Sequence, residues 1–188
     1  MSFHGTTILT VCRNGEVVVI GDGQVSVGER VVLKHTAQKV KCLCDGIIVG
    51  FAGVVGDSFA LFERLEYKIK ATPDLLKAAV SLAKEWRMDK ALRRLDSQLI
   101  VVDHKYTLIL TGSGEVLNIE DRVAAIGSGG YFALSAARAL ASVENNTMTT
   151  EELCVRSMNI AADICVFTNG NFTIKKIKID NEGEGELQ

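Results

Sequence analysis

The amino-acid sequence predicts an α+β fold in which pairs of helices cover largely antiparallel sheets. Two observations indicate this fold class. Short apolar, β-branched segments come in blocks whose members are joined by hairpin turns, of which Asn14-Gly15 gives the strongest signal. Segments with the apolar period of a helix come in two pairs, and each pair follows a block of strands. This segregated order favours a layered arrangement of helices on sheets.

The first block of the chain contains four or more strands. Two strands flank the Asn14-Gly15 turn, and "GDGQVSVGER", which begins at Gly21, is predicted to form a glycine-rich loop. Asp45-Gly46 is predicted to turn the last two strands of the block into a second hairpin. The predicted strands cover residues 7–12, 16–20, 31–33, 40–44 and 47–52.

Two helices are predicted to follow this block. From residue 57 the apolar residues fall on one helical stripe, which is formed by Phe59, Phe62, Leu65 and Ile69. Thr72 is a candidate N-cap and Pro73, the only proline, suits the first helical position, so a second helix is expected to start there. Its predicted apolar positions are Leu76, Ala79, Ala83, Trp86 and Leu92.

The second half of the chain repeats the order of strands followed by two helices. Strands are predicted over 98–103, 106–112 and 123–130, helices over 131–143 and 150–164, and a closing strand over 172–179. The last nine residues, "DNEGEGELQ", are polar and rich in glycine, which is typical of a frayed tail. With 188 residues the chain is long enough for one independent core.

The charge balance argues against several classes of partner. The chain has 21 basic and 23 acidic residues and a net charge of −2, which provides no general field for nucleic acid or an anionic membrane. No stretch has the length and apolarity of a membrane span or of a signal peptide. We therefore expect a cytoplasmic protein with no nucleic-acid or membrane partner.

The cysteines predict neither disulfides nor a metal centre. They are odd in number and scattered through apolar segments, which favours reduced thiols. Cys42 and Cys44 are two residues apart in a predicted strand and should share a face, but the three histidines do not complete a metal-ligand spacing. His35 and His104 are expected at the surface and Trp86 in the core.

The glycine clusters do not match the nucleotide-binding fingerprints. Dinucleotide fingerprints starting at Gly21 or Gly112 would need a further glycine at Ser26 or Leu117, and no phosphate-binding P-loop pattern occurs. Ser128 lies in "IGSGG", a predicted turn that leads into a helix, where backbone N–H groups are able to meet an anion. A phosphate-binding module is therefore kept as an alternative.

The doubled threonine near the start of the chain offers a better organised chemistry. A threonine hydroxyl is a poor nucleophile without a base, and an amino-terminal threonine supplies that base as its own α-amine. A nearby ammonium lowers the pKa of the amine, and a carboxylate holds the ammonium in place. In the predicted hairpins, Asp22 and Lys39 both approach the start of the first strand, where Thr6 and Thr7 lie.

These residues belong to motifs that resemble the HslV (ClpQ) family of proteasome-like peptidases. The motifs agree in order and spacing from Thr6 to about Asn169, which is nearly the whole chain. They are "TTILTVCRNGEVVVIGDGQVSVG", "HTAQKV", "GFAG", "LAKEWRMDKALRRL", "AIGSGG" and "ADICVFTN". The resemblance implies the fold of the amino-terminal nucleophile hydrolases, a four-layer α-β-β-α sandwich with two antiparallel sheets. It also implies a leader over 1–5, a single catalytic domain over 6–180 and a tail over 181–188.

The resemblance assigns a role to each matching residue. Thr6 is expected to be the nucleophile, Asp22 and Lys39 to tune it, Gly50 to donate a backbone N–H to the oxyanion hole, and Ser128 to lie near the threonine amine. The "ADICVFT" segment matches the loop that binds a monovalent cation, usually Na⁺, through backbone carbonyls. Its expected ligands are Ala162, Cys165 and Thr168. Family members commonly have glycine where this chain has Ala162, which matters only if the backbone there needs a positive φ.

The partners are likewise implied by the resemblance. The expected assembly is a homo-oligomer of two stacked hexameric rings, capped by an HslU-type AAA+ unfoldase hexamer that uses ATP and delivers unfolded proteins. A ring predicts exposed apolar patches on the monomer, for which the helix containing residues 59–69 is a candidate.

The residues before Thr6 leave three mechanisms open. Cleavage at Gly5–Thr6 would free the threonine amine, and this is the favoured interpretation. The leader could instead remain, with Ser2 as an amino-terminal serine nucleophile after loss of the initiator methionine. A third possibility is a catalytically silent ring subunit, against which the presence of Asp22, Lys39 and the threonine pair argues.

Overall fold

The computed structural model describes residues 3–4, 6–28, 30–44, 46–53, 55–90 and 97–179. Most of these residues form strands or helices, which follow one another in the predicted blocks. The strands are β1 (Phe3–His4), β2 (Thr7–Arg13), β3 (Glu16–Asp22), β4 (Val25–Val27), β5 (Val31–Lys34), β6 (Val40–Cys44), β7 (Ile47–Ala52), β8 (Gln98–Val102), β9 (Thr107–Thr111), β10 (Val116–Asn118), β11 (Val123–Gly127) and β12 (Phe172–Lys178). The helices are α1 (Val55–Ala71), α2 (Leu75–Met88), α3 (Gly130–Ala141) and α4 (Thr150–Ile164).

The strands form two main antiparallel sheets and one small one. One main sheet has the order β10-β9-β8-β7-β6 and the other the order β11-β2-β3-β12, while the small sheet has the order β1-β4-β5. Apolar side chains of the five-stranded sheet pack against α1 and α2, and those of the four-stranded sheet pack against α3 and α4. A third apolar cluster, which includes Ile8, Val19, Ile48 and Ile100, fills the space between the sheets. The predicted α-β-β-α sandwich is therefore confirmed.

The hairpin between β2 and β3 follows directly from the sequence. Asn14 and Gly15 have φ values of 53° and 72°, which is the conformation that a two-residue turn with right-handed strand twist requires. The turn fixes the register in which Arg13 pairs with Glu16 and Ile8 with Gly21. This register brings the start of β2 beside the end of β3. The candidate residues lie at this end of the two central strands.

The predicted apolar stripes of α1 and α2 face the core. Phe62, Leu65 and Ile69 of α1 are buried, and Trp86 of α2 is fully buried. The side chain of Phe59 lies outside the described part of the chain, as do Leu92, Asp45 and the tail over 181–188. His35 and His104 are exposed, as predicted.

The predicted start of α2 was wrong by two residues. Asp74, rather than Thr72, is the N-cap, because its side chain accepts a hydrogen bond of 3.0 Å from the backbone N–H of Lys77. The buried stripe of this helix accordingly runs through Leu75 and not Leu76, which is half-buried. Pro73 precedes the cap instead of opening the helix.

Three strands, β1, β4 and β10, were missed by the sequence analysis. Part of the predicted glycine-rich loop is β4, which is held between β1 and β5, and β10 pairs with β9 at the edge of the five-stranded sheet. These strands are only two or three residues long, too short to give a recognisable apolar period.

Cys42 and Cys44 do not share a face of β6, contrary to the sequence prediction. The register shifts between these two residues, so Cys42 opposes Ile48 and Cys44 opposes Ile47. Cys44 therefore packs against the cluster beneath α1 and α2, while Cys42 is exposed. The described residues contain no group of three or more His, Cys, Asp or Glu side chains able to hold a metal ion.

Within residues 59–69, where an apolar patch was expected, Tyr67 is exposed, whereas Phe62, Leu65 and Ile69 are buried. The exposed apolar side chains are spread over several elements. They occur on β5, on the outer sides of the helices and at the end of α4, and they include Val31, Leu33, Tyr67, Tyr131, Ile164 and Val166. None of the helices in the described ranges combines the length and apolarity needed to cross a bilayer.

Thr10 provides a test of the packing between the two sheets. Its side chain is fully buried, and its hydroxyl has no hydrogen-bond partner within the part of the chain that the structure describes. Thr10→Val keeps the shape and removes the unpaired hydroxyl, so we expect the free energy of unfolding to rise by about 1 kcal/mol. Thermal unfolding should show a midpoint about 2–4 °C higher.

Thr107 is the matched control because its side chain is equally buried but its hydroxyl accepts a hydrogen bond from Arg122. Thr107→Val should lower the unfolding midpoint. If both variants shift the midpoint in the same direction, the unpaired hydroxyl of Thr10 is not the source of the effect.

Candidate active site

The candidate site lies at one end of the four-stranded sheet, next to the start of β6 in the five-stranded sheet. Thr7 begins β2, Asp22 ends β3 and Gly127 ends β11, and the antiparallel register pairs Gly127 with Thr7. Lys39 immediately precedes β6, and its carbonyl accepts a hydrogen bond of 3.0 Å from Phe51 of β7. The site therefore forms only after both sheets have packed together.

A fully buried carboxylate, that of Asp22, is the centre of the site. Its Oδ1 atom accepts hydrogen bonds from the backbone N–H of Thr7, at 2.7 Å, and from the ammonium of Lys39, at 2.9 Å. Its Oδ2 atom accepts from the backbone N–H of Gln24 at 2.9 Å and of Asn169 at 3.4 Å. A buried charge is tolerated only with such donors, so each of these four segments is constrained by it.

Lys39, the ion-pair partner of Asp22, is also buried. Its side chain also donates to the carbonyl of Gln24 at 2.5 Å, so two acceptors hold the ammonium. Burial lowers the pKa of Lys39, and the charge and hydrogen bond of Asp22 oppose this effect. Because Thr7 and Lys39 share the Oδ1 atom of Asp22, the ammonium lies beside the peptide that joins Thr6 to Thr7.

Thr6 and Thr7 have different partners at the start of β2. Thr6 is buried, and its carbonyl accepts a hydrogen bond of 2.8 Å from the backbone N–H of Ser128. The hydroxyl of Thr7 accepts from the backbone N–H of Gly129 at 2.9 Å and shares a hydrogen bond of 2.7 Å with the hydroxyl of Thr168. The second threonine thus braces the site, a role that the sequence analysis missed.

The "GSGG" motif contains glycines because the amino-terminal strand passes so close to it. Gly127 has a φ of 87°, and a Cβ atom there would collide with the carbonyl oxygen of Thr6. A Cβ atom on Gly129 would lie 2.5 Å from the hydroxyl of Thr7 and 2.6 Å from that of Thr168. Close backbone approach, visible in the sequence only as a glycine cluster, therefore explains the motif.

The same contacts disfavour the phosphate-binding alternative. The backbone N–H groups of Ser128 and Gly129 are those that an anion at this turn would use. They donate instead to the carbonyl of Thr6 and the hydroxyl of Thr7. The side chain of Ser128 itself is exposed at the edge of the site.

Gly50 lies in the buried β7, opposite Val40 and hence close to Lys39 in space. A Cβ atom there would lie 2.6 Å from the Cγ2 atom of Ile8. The structure therefore gives this glycine a packing role against β2, and it places the residue at the same end of the sandwich as Lys39.

The three residues predicted to bind a cation lie around the end of α4. Ala162 is in the last turn of α4, Cys165 is the C-cap residue, and the carbonyl of Cys165 accepts a hydrogen bond of 3.0 Å from Thr168. Carbonyls at a helix C-terminus lack helical partners and carry the negative end of the helix dipole, so their chemistry fits a monovalent cation. Ala162 has helical backbone, so no glycine is required there.

Comparison with known proteins gives consistent matches. The sequence model described as "Proteasome subunit" matches residues 2–177. The chain is 55% identical over 179 residues to the ATP-dependent protease subunit HslV of Rickettsia typhi, which covers 94% of this chain and 97% of that protein. It is 56% identical over 177 residues to the protein of the same name from Neorickettsia sennetsu, covering 93% and 94%. The crystal structure of eukaryotic HslV from Trypanosoma brucei superposes with a TM-score of 0.87 at 45% identity, covering 92% of this chain and 99% of that one.

The buried ion pair predicts how the fold responds when one partner is removed. Lys39→Met leaves the carboxylate of Asp22 buried without its counter-charge, so we expect a loss of about 3–5 kcal/mol of stability. Adding Asp22→Asn removes the unpaired charge and should recover part of that loss, because the amide nitrogen then opposes at least one of the backbone N–H groups that the carboxylate accepted. Thermal unfolding of the two variants beside the unmodified chain measures both effects; a double variant no more stable than Lys39→Met contradicts the interpretation.

Proposed function

The chain belongs to the proteasome subunit family, and we propose that it is an HslV-type threonine peptidase, the proteolytic subunit of an ATP-dependent protease. The observation that carries this proposal is the shared hydrogen bonding of Asp22, whose Oδ1 atom holds both Lys39 and the backbone N–H of Thr7. A threonine nucleophile needs a fixed ammonium beside it, and this arrangement supplies one next to Thr6. The relatives from Rickettsia typhi and Neorickettsia sennetsu are both named as HslV subunits of an ATP-dependent protease, which supports the proposal.

The proposed reaction uses groups of this chain and one water molecule. The α-amine of Thr6 accepts the hydroxyl proton while Oγ1 attacks the carbonyl carbon of the substrate peptide. The backbone N–H of Gly50 stabilises the negative oxygen of the tetrahedral intermediate. The intermediate collapses with transfer of the proton to the leaving amine, and a water molecule then hydrolyses the ester to release the second product and restore Thr6. Lys39 keeps the amine deprotonated at neutral pH.

The amine must first be released from its peptide bond with Gly5. We propose that the hydroxyl of Thr6 attacks the carbonyl carbon of Gly5, which transfers the leader from nitrogen to oxygen as an ester that water then cleaves. The packing of Thr6 supports this self-cleavage, because the backbone N–H of Ser128 already holds the carbonyl of Thr6 in the uncleaved chain. Retention of the leader with Ser2 as nucleophile, and a silent ring subunit, are the alternatives; Ser2 and Gly5 lie outside the described residues.

The leader indicates how an extended substrate binds. Phe3 and His4 form an antiparallel pair with Val27 and Ser26 of β4, immediately before the candidate nucleophile. Once the leader has been removed, this edge of β4 becomes free to pair with another extended segment. Main-chain pairing of this kind tolerates many side chains, which suits a peptidase that degrades unfolded proteins.

We further propose that the carbonyls of Ala162, Cys165 and Thr168 hold Na⁺. A bound cation would supply positive charge at the end of α4 and would hold the three carbonyls in place. Its effect would reach the site through Thr168, because the hydroxyl of that residue bonds to Thr7.

The proposed assembly is cytoplasmic and consists of two stacked hexameric rings of this chain. An HslU-type AAA+ hexamer unfolds the substrate and consumes the ATP, since this sequence has no P-loop pattern. The exposed apolar side chains on β5, α3 and α4 provide surface for contacts between copies.

Substitution of the nucleophile tests the proposed activity. Thr6→Ala should abolish cleavage of a fluorogenic peptide, a loss of about 10³-fold or more, because no hydroxyl remains to attack the substrate. Thr6→Ser should retain activity and be processed at the same bond. Intact mass identifies the mature amino terminus: an active chain that begins at Ser2, or full activity in Thr6→Ala, overturns the proposal.

The pH profile tests the roles of the two titrating groups. The ascending limb of kcat/KM should follow loss of a proton from the Thr6 amine. The descending limb should follow loss of the Lys39 charge, below the ordinary lysine value of 10.5, because neutral Lys39 leaves the buried carboxylate of Asp22 without its counter-charge and the site loses its geometry. Lys39→Arg keeps a positive charge throughout this range, so its profile should lose the descending limb even if its maximum falls. A descending limb at the same pH in Lys39→Arg would exclude Lys39 as its source.

A further inference from the structure

The side chain of Asn169 lies where three loops of the candidate site meet. Its Oδ1 atom accepts hydrogen bonds from the backbone N–H groups of Gly23, at 3.2 Å, and of Asn171, at 3.1 Å. Its Nδ2 atom donates to the carbonyl of His35 at 3.0 Å. With two donors on its oxygen and one acceptor on its nitrogen, the carboxamide has a single consistent orientation.

The two segments joined by this carboxamide are those that deliver the buried ion pair. Gly23 directly follows Asp22, and His35 is four residues before Lys39. The two backbones almost touch at this point, because a Cβ atom on Gly23 would collide with the carbonyl oxygen of His35. One backbone hydrogen bond, from Ala37 to Gly23 at 2.9 Å, also links them.

Asn169 also reaches the carboxylate itself. Its backbone N–H donates to the Oδ2 atom of Asp22 at 3.4 Å, while the other oxygen of that carboxylate holds Lys39. The residue is thus bonded to Asp22 through its main chain and to both flanking loops through its side chain. The neighbouring Thr168 is bonded to Thr7, so the same short segment contacts the start of β2.

We propose that Asn169 is a positioning residue that sets the separation between Asp22 and Lys39 and thereby the placement of the ammonium beside Thr6. This inference rests on the threonine mechanism proposed above. The carboxamide does not touch the substrate. It acts by fixing the loop over residues 22–24 against the loop over residues 35–37, and a displacement of either loop moves one member of the ion pair.

The test compares Asn169→Ala with Asn169→Asp in the assembled protein at one fixed, saturating concentration of sodium chloride. Asn169→Ala removes all three side-chain hydrogen bonds, so we expect kcat to fall about 10- to 100-fold while KM changes by less than about twofold. The displaced ammonium no longer lowers the pKa of the Thr6 amine as far, so the ascending limb should move to higher pH. Asn169→Asp keeps the acceptor for Gly23 and Asn171 but sets a charged oxygen against the carbonyl of His35, close to Asp22, so its kcat should also fall although two of the three hydrogen bonds remain.

Asn171→Ala is the matched control. Asn171 is exposed, and within the described residues its side chain makes no hydrogen bond. Its kcat, KM and pH profile should equal those of the unmodified chain. A loss of activity in Asn169→Ala that accompanies a lower unfolding midpoint, with an unchanged pH profile, would show a merely structural role and overturn the inference.

Covalent labelling separates this inference from the mechanism on which it rests. A peptide epoxyketone joins the hydroxyl and the amine of one amino-terminal residue: the hydroxyl adds to the ketone, and the amine then opens the epoxide. The unmodified chain should be labelled at Thr6, and Asn169→Ala more slowly by the same factor as its loss in kcat. Equal labelling rates overturn the inference alone, whereas an unmodified chain without label at Thr6 overturns the threonine mechanism and the inference with it.

Discussion

The structure of the site depends on one buried charge, the carboxylate of Asp22. A fully buried carboxylate must collect donors, and this one collects them from the first strand, from its own loop, from the segment after α4 and from Lys39 of the other sheet. The interaction therefore closes the sandwich at one end and orients the amino-terminal strand at the same time. The stability of this end of the sandwich and the geometry of the candidate site therefore depend on the same atoms.

Glycines allow the other segments to come close enough to reach that charge. Gly21 and Gly50 both face Ile8, and a Cβ atom on either would lie 2.6 Å from its side chain. Gly127 and Gly129 give the same freedom on the other side of β2. At these four positions a neighbouring segment approaches the start of β2 so closely that no side chain fits, which explains why the motifs around the site are rich in glycine.

Local chemistry was predictable from the sequence, whereas contacts between distant segments were not. Asn14-Gly15 defined a hairpin because both residues tolerate positive φ. The start of α2 was misplaced because Thr72 and Asp74 both satisfy the rules for an N-cap, and only the folded chain selects Asp74. The family resemblance brought Thr6, Asp22 and Lys39 forward as candidates, but the brace formed by Thr7 joins segments more than 100 residues apart and leaves no periodic signal.

The partners of the two threonines also have a consequence for activation. The hydrogen bonds described at this end of β2 involve the carbonyl of Thr6 and the N–H and hydroxyl of Thr7, all of which survive removal of the leader. If the leader is removed as proposed, these contacts would be kept, so activation would change one covalent bond and leave this end of β2 in place. The timing of such an activation would then be set by the rate of bond cleavage between Gly5 and Thr6 and not by a refolding of the chain.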